Sequence, residues 1–306
     1  MNAFSFAAGE DQLRLSTGDG LRLSDSLLLS VLSALAYDDQ NAVAAALPHL
    51  GFRLLAFFDR GETQGFAAAS DTALVVSFRG TSQRADWVTN LKTRRTRTAL
   101  GKVHRGFLAA LDQVWSEVEA VIQKERGSRA LWLTGHSLGG ALAALAAARC
   151  AVERNWPVSG LHTFGQPRVG NRTFAANLER SLTNRYFRFT NNQDSVPGIP
   201  SSWFYRHAGQ MLWFDKRGSV VQPVGMEGWG IYWVRTAAFS WEMRGGTLFQ
   251  VQKSYRDGKW QSDVDTIGDH SIGTCRDLLR RALLSGLEPT RITVKAARLL
   301  REGRES

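Results

Sequence analysis

A mostly parallel α/β sheet with helices on both faces is the architecture this sequence predicts, and three observations predict it. Short apolar runs bounded by turn residues recur along the chain, helical apolar periodicities lie between most of them, and no repeat, low-complexity tract or Pro/Gly-rich linker divides the 306 residues. With 43% hydrophobic and 22% charged residues, the composition is that of a globular protein, which argues against disordered, collagen-like and coiled-coil alternatives. One domain over 1–306 is expected.

In chain order, Ser24 ahead of Leu27, Leu28, Val31, Leu32 and Leu35 supplies an N-cap candidate and a helical stripe, predicting a helix over about 25–37. Buried strands are expected at 54–58, 73–78, 131–134, 161–164 and 186–189, with helices around 107–124, 138–153 and 172–182. A helical run follows at 278–284, and Ile292, Ala296, Leu299 and Leu300 mark a last amphipathic helix after Pro289. The uncharged stretch 130–148 is long enough to span a bilayer, but Gly135, His136, Ser137, Gly139 and Gly140 interrupt it. It reads as strand, turn and helix.

That turn carries the chemistry. Gly135-His136-Ser137-Leu138-Gly139 is a G-x-S-x-G pattern between an apolar strand and an Ala-rich helix, the context in which a serine stands exposed on a strained strand-to-helix turn. Small residues two before and two after the serine allow the neighbouring chain to approach, and Gly140, Ala141, Ala143 and Ala144 let the helix press on the sheet.

Around this motif the sequence resembles the class 3 lipase family, the fungal-type triacylglycerol lipases among the α/β-hydrolases. The resemblance rests on Val76-Ser77-Phe78-Arg79-Gly80-Thr81, Val103-His104-Arg105-Gly106-Phe107, Thr163-Phe164-Gly165-Gln166-Pro167-Arg168-Val169-Gly170-Asn171 and Arg188-Phe189-Thr190-Asn191-Asn192-Gln193-Asp194-Ser195-Val196-Pro197, and it spans about 24–280. It implies an α/β-hydrolase fold and hydrolysis of lipid carboxylic esters.

A serine hydroxyl needs a histidine to take its proton and a carboxylate to fix that histidine's tautomer. Asp194 follows the 186–189 strand at its C-terminal end, and the resemblance puts the triad acid there; the residue-level alternative is an Asx-turn ahead of Pro197. Only His162, His207 and His270 follow the serine. His162 lies in an apolar strand pattern and reads as a core residue. His207 sits in another expected strand, whereas His270 lies in a loop between the aromatic insertion and the 278–284 run, so loop placement and the family's Asp-His pattern favour His270, with His207 as runner-up. Asp269, adjacent to His270, reads as a turn residue. Oxyanion donors are expected from the residue after the nucleophile, Leu138, and from the loop after an early strand, Thr81.

No zinc-type, Walker-type or G-x-G-x-x-G spacing occurs, and serine acyl transfer needs no metal or cofactor. Lys+Arg 38 against Asp+Glu 28 gives +10, and Lys92, Arg94, Arg95, Arg97, Lys102 and Arg105 concentrate charge with no acid between 92 and 105. This stretch, after a lid candidate at 85–91, reads either as a rim for anionic membrane surfaces or as a solvated loop; with no nucleic-acid module present, nucleic acid is not the expected partner. Six of the ten tryptophans, Trp203, Trp213, Trp229, Trp233, Trp241 and Trp260, fall between Asp194 and His270, predicting a cap or hairpin insertion at 215–262.

The expected function is hydrolysis of lipid esters, acylglycerols foremost, with phospholipase A-type or short-chain carboxylesterase activity as alternatives. A non-catalytic lipid-binding or interaction protein on the same scaffold is the rival from another class. The N-terminal stretch has no leader-like charge and apolar pattern, and Cys150 and Cys275 allow at most one disulfide, so a reduced, cytoplasmic compartment is expected, with possible peripheral membrane contact.

Overall fold

The computed structural model describes residues 13–16, 20–81, 94–191, 194–214, 220–221, 253–256, 259–262 and 270–284. Its scaffold is a sheet ordered β1-β2-β3-β6-β7-β8-β9-β10. Three antiparallel strands open it: β1 (Arg53–Arg60), β2 (Thr63–Ala69) and β3 (Ala73–Phe78). From β3 the pairing turns parallel through β6 (Ala130–His136), β7 (Gly160–Phe164), β8 (Tyr186–Asn191) and β9 (Gln210–Phe214), and β10 (Val220–Val221) closes the edge antiparallel.

Strand alternation assigns the two faces. In β3, Leu74, Val76 and Phe78 enter one core while Ala73 and Val75 enter the other, as the two-residue period of a strand requires. The first core is covered by α3 (Arg105–Glu125), α4 (Leu138–Ala148) and α5 (Arg172–Ser181); the second by α1 (Leu23–Leu35), α2 (Gln40–Ala46) and α6 (Ile272–Leu284). The predicted architecture is therefore present, with helices on both faces of a parallel central block.

Local chemistry explains the elements and the departures from expectation. Helix α3 shows the amphipathic spacing Phe107, Leu111, Val114, Val118, Ile122, all buried, and starts where His104 Nδ1 accepts the Phe107 N–H. Helix α4 is buried along nearly its whole length because Ala141, Ala143, Ala144, Ala146 and Ala147 let it lie close on the sheet. The expected helix over 138–153 divides here: α4 ends at Ala148, and a π turn, Arg149–Glu153, completes it. Ser24 does not cap α1. The helix starts two residues earlier than expected, with Arg22 at the N-cap, and Ser26 Oγ donates to the Arg22 carbonyl instead. Strand β2 has no counterpart in the sequence reading, since Gly65 and three alanines carry low strand propensity; burial between β1 and β3 makes it a strand.

Within the expected 215–262 insertion, Lys253–Arg256 (β11) and Lys259–Ser262 (β12) pair antiparallel. Trp229, Trp233 and Trp241, the 85–91 lid candidate, Asp269 and the helix after Pro289 lie outside the described residues.

Candidate active site

Parallel pairing of β6 with β3 and β7 places Ser137 at the C-terminal edge of the central strands, where Phe78 aligns with Gly135 and His136 with Phe164. Ser137 has φ 58° and ψ −127°, a backbone state that costs roughly 1–3 kcal/mol for a residue with a side chain. Its neighbours enforce it. A side chain at Gly139 would run into the Phe78 carbonyl, and one at Gly135 into the main chain of Gly139, so strand and helix meet more tightly than any other residue permits. The Ser137 N–H donates to the Phe164 carbonyl at 2.9 Å, while its hydroxyl makes no cap bond to α4 and is left for another partner.

That partner is His270. Ser137 Oγ lies 2.9 Å from His270 Nε2, and His270 Nδ1 lies 2.8 Å from Asp194 Oδ2. All three residues are buried. An ionised carboxylate only accepts, so Nδ1 carries the hydrogen, and the neutral ring then presents the Nε2 lone pair to the serine hydroxyl. Asp194 follows β8, its N–H donating to Asn191, and its second oxygen accepts the Val196 N–H at 2.9 Å. The Asx-turn and the histidine partner are thus two uses of one carboxylate.

Gly165 makes this pairing possible. It follows β7 at φ +57°, and a Cβ there would come within 2.7 Å of His270 Cε1 and 2.8 Å of Asp194 Oδ2. Gly165→Ala is expected to wedge the hydrogen-bonded His270 and Asp194 apart and lower kcat on a soluble ester by about 100-fold, with a smaller change in KM; wild-type kcat in a folded variant would contradict this placement.

The other histidines are engaged elsewhere. His162 on β7 bonds Ser26 Oγ through Nδ1 at 3.0 Å, and burial drives its pKa down to about 3. His207 is not on a strand, contrary to expectation: it lies between Arg206, which bridges to Gly170, and the start of β9. Its Nε2 donates to the Pro197 carbonyl at 2.9 Å, and burial, then Arg188 and Arg168, hold its basicity well below the ordinary imidazole value. The structure brings Ser137, Asp194 and His270 together and leaves His207 supporting the turn after Asp194.

These neutral histidines have a measurable consequence. Unfolded His162 takes up a proton below about pH 6.5, whereas the folded residue resists protonation until about 3, so the stability it contributes is complete above 6.5 and is lost as pH falls toward 3. Urea unfolding is expected to show a loss of roughly 2 kcal/mol from this group between pH 7 and pH 5, with His207 acting in the same direction. Equal stability at the two pH values would contradict it.

Leu138 begins α4, so its N–H has no acceptor within the helix. The Arg79–Thr81 turn continues from β3 against the elbow: a Cβ on Gly80 would lie 3.1 Å from the Ser137 Cβ, and Thr81 follows directly, half-buried. The basic stretch is not a loop over its described part. Arg95–Thr98 (β4) and Gly101–His104 (β5) form an antiparallel ladder with Arg94, Arg95, Arg97, Lys102 and Arg105 exposed. The Arg95 guanidinium sits 5.1 Å from the ring centroid of Phe204, and Trp203 and Phe204 are 82% and 58% exposed.

Three residues that sequence reasoning left without roles border the site: Gly165, His136 and Tyr37. His136 carried a signal as the x of G-x-S-x-G; Tyr37 carried none, since its partner is 99 positions away.

Residues 75–204 match the family described as Lipase (class 3). The chain is 37% identical over 162 residues to secreted mono- and diacylglycerol lipase 1 of Fusarium solani, covering 49% of this chain and 47% of that protein. It is 35% identical over 168 residues to a lipase of Rhizomucor miehei, covering 50% and 45%. It thus spans about half the length of the curated relatives it matches. Among solved structures, the Rhizomucor miehei triacylglyceride lipase superimposes with TM-score 0.59 at 26% identity, covering 65% of this chain and 82% of that one. A triacylglycerol lipase whose catalytic centre is described as a serine protease triad does so with TM-score 0.58 at 28% identity, covering 64% and 82%.

The same comparisons overturn the cytoplasmic expectation, because matched relatives from Fusarium solani, Malassezia globosa and Gibberella zeae are named as secreted lipases. The cysteine argument behind that expectation fails on geometry. Cys150 and Cys275 form no disulfide and lie in the cores on opposite faces of the sheet, so the absence of a bond between them says nothing of compartment. Among the described residues no helix is long and apolar enough to cross a membrane.

Proposed function

We propose that the chain is a member of the class 3 lipase family and that it hydrolyses lipid carboxylic esters, acylglycerols foremost, through an acyl-enzyme on Ser137. The observation that carries the proposal is the hydrogen-bonded series Ser137 Oγ, His270, Asp194, with 2.9 and 2.8 Å steps from a serine held in the strained backbone of a strand-to-helix turn.

In this reading His270 Nε2 accepts the Ser137 proton as Oγ attacks the ester carbonyl carbon. The developing oxyanion is received by the main-chain N–H groups of Leu138 and Thr81. The ester C–O bond then breaks, and His270 returns its proton to the departing alcohol. Water enters, gives a proton to Nε2 and attacks the acyl carbon; Ser137 leaves as the alkoxide, regains the proton, and the fatty acid is released. Asp194 retains the Nδ1 hydrogen bond throughout and steadies the imidazolium.

The substrate class is tested by assaying p-nitrophenyl esters of graded chain length beside emulsified acylglycerol and phospholipid. Turnover of esters and acylglycerols with little on phospholipid is expected. Phospholipid as the sole substrate would move the assignment to a phospholipase, and hydrolysis of none would favour a binding protein on this scaffold.

The β4–β5 hairpin and the exposed Trp203–Phe204 pair support a transient partner, an anionic membrane surface: basic side chains meet head groups and the aromatic pair enters the interfacial layer. Arg94→Gln with Arg97→Gln should weaken binding to phosphatidylserine-containing vesicles by about 30-fold at low salt, since each basic residue contributes about 1 kcal/mol near such a surface. Unchanged binding would favour a solvated hairpin.

A further inference from the structure

His270 differs from its two partners in how the fold holds it. Ser137 follows β6 directly and Asp194 closely follows β8, whereas His270 precedes α6 and lies on no strand. Its main chain is therefore not set by a strand of its own.

The groups placed to hold it are His136 and Tyr37. His136 is fully buried, with Nε2 2.7 Å from the carbonyl oxygen of His270 and Nδ1 2.7 Å from the Tyr37 hydroxyl. A carbonyl oxygen only accepts, so Nε2 bears the hydrogen; in the neutral ring Nδ1 is then the acceptor and Tyr37 the donor. The rings of His136 and His270 also pack with centroids 4.7 Å apart at 34°. Tyr37 is itself held. Arg79 lies 5.9 Å over its ring and donates to Gln64 Oε1 at 2.7 Å, and Gln64 Nε2 donates to the carbonyls of Ala36 and Asp38 on either side of it at 3.0 and 2.9 Å.

We propose that Tyr37 and His136 are a positioning pair: Tyr37 sets the tautomer of His136, and His136 anchors the main chain of His270 so that its imidazole reaches Ser137 Oγ. The proposal rests on Ser137 and His270 being the nucleophile and base. A neutral His136 also avoids a second positive ring beside the imidazolium that forms on His270 during turnover. Neither residue takes a proton from the reacting groups or gives one to them in this reading.

Because the role is to donate one hydrogen bond, the test is rescue by a side chain that keeps the donor. Gln mimics the reach of Nε2, whereas Leu keeps bulk and loses the N–H. On a soluble p-nitrophenyl ester, His136→Leu should lower kcat by roughly 30-fold with little change in KM, His136→Gln should recover most of it, and the rate of Ser137 phosphonylation should follow kcat. Tyr37→Phe, which removes one oxygen, should cost about fivefold alone and nothing further in the His136→Leu background. If His136→Leu fails to fold, Tyr37→Phe and His136→Gln carry the test on their own: a wild-type kcat for Tyr37→Phe, or a His136→Gln enzyme impaired at unchanged melting temperature, would overturn it. Equal activity of folded Leu and Gln variants would do the same. Retained hydrolysis in Ser137→Ala would instead overturn the underlying nucleophile assignment, so the two failures are distinguishable.

Discussion

Ser137→Ala is expected to lower ester turnover by about 10⁶-fold while leaving the protein folded. The alanine keeps the Cβ at the strained elbow and removes only Oγ, which bonds His270 Nε2, so the packing of Gly135 and Gly139 around the turn is untouched. What remains should be the small rate that oxyanion donors and substrate binding sustain without a nucleophile. Circular dichroism and the melting temperature check the fold; near-wild-type turnover in the folded variant would end the hydrolase reading based on this site.

Asp194→Asn should cost on the order of 10⁴-fold, far more than the loss of one charge near the surface, because it acts on the tautomer of His270. Asp194 uses both oxygens, one for the Val196 N–H and one for His270 Nδ1. Asn can keep the Val196 bond with its own carbonyl oxygen only by turning its NH₂ toward Nδ1. A donor facing Nδ1 forces the hydrogen onto Nε2, which then cannot take the serine proton. His207→Gln supplies the contrast, since that residue bonds Pro197 and not the serine; it should lower stability modestly and leave kcat within a few-fold of wild type. A fully active Asp194→Asn, or an inactive but folded His207→Gln, would reassign the acid or the base.

The parts of the site legible in the sequence are those whose causes are local. The elbow could be read because Gly135, Ser137, Gly139 and the alanines after them answer a steric demand within one strand-turn-helix unit. Asp194 could be placed because strand β8 ends just before it, although its Asx-turn and its histidine contact looked like competing roles until one carboxylate was seen to serve both. His207 was misplaced onto a strand because the apolar pattern of β9 begins only three residues later. Tyr37, His136 and Gly165 were not legible in their roles: each depends on His270 arriving from more than 100 positions away, and nothing in the local pattern reports that arrival. Strand β2 was hidden for a related reason, as its burial comes from neighbours on both sides and not from its own propensity.

The central claim, a covalent acyl-enzyme on Ser137, is tested most directly by rapid-quench mass spectrometry during turnover of p-nitrophenyl butyrate. The account predicts a butyryl adduct that forms in the burst phase, maps to the peptide containing Ser137, and is absent from Ser137→Ala. An adduct on any other residue, or steady hydrolysis with no adduct at any quench time in an enzyme whose burst is resolved, would contradict it.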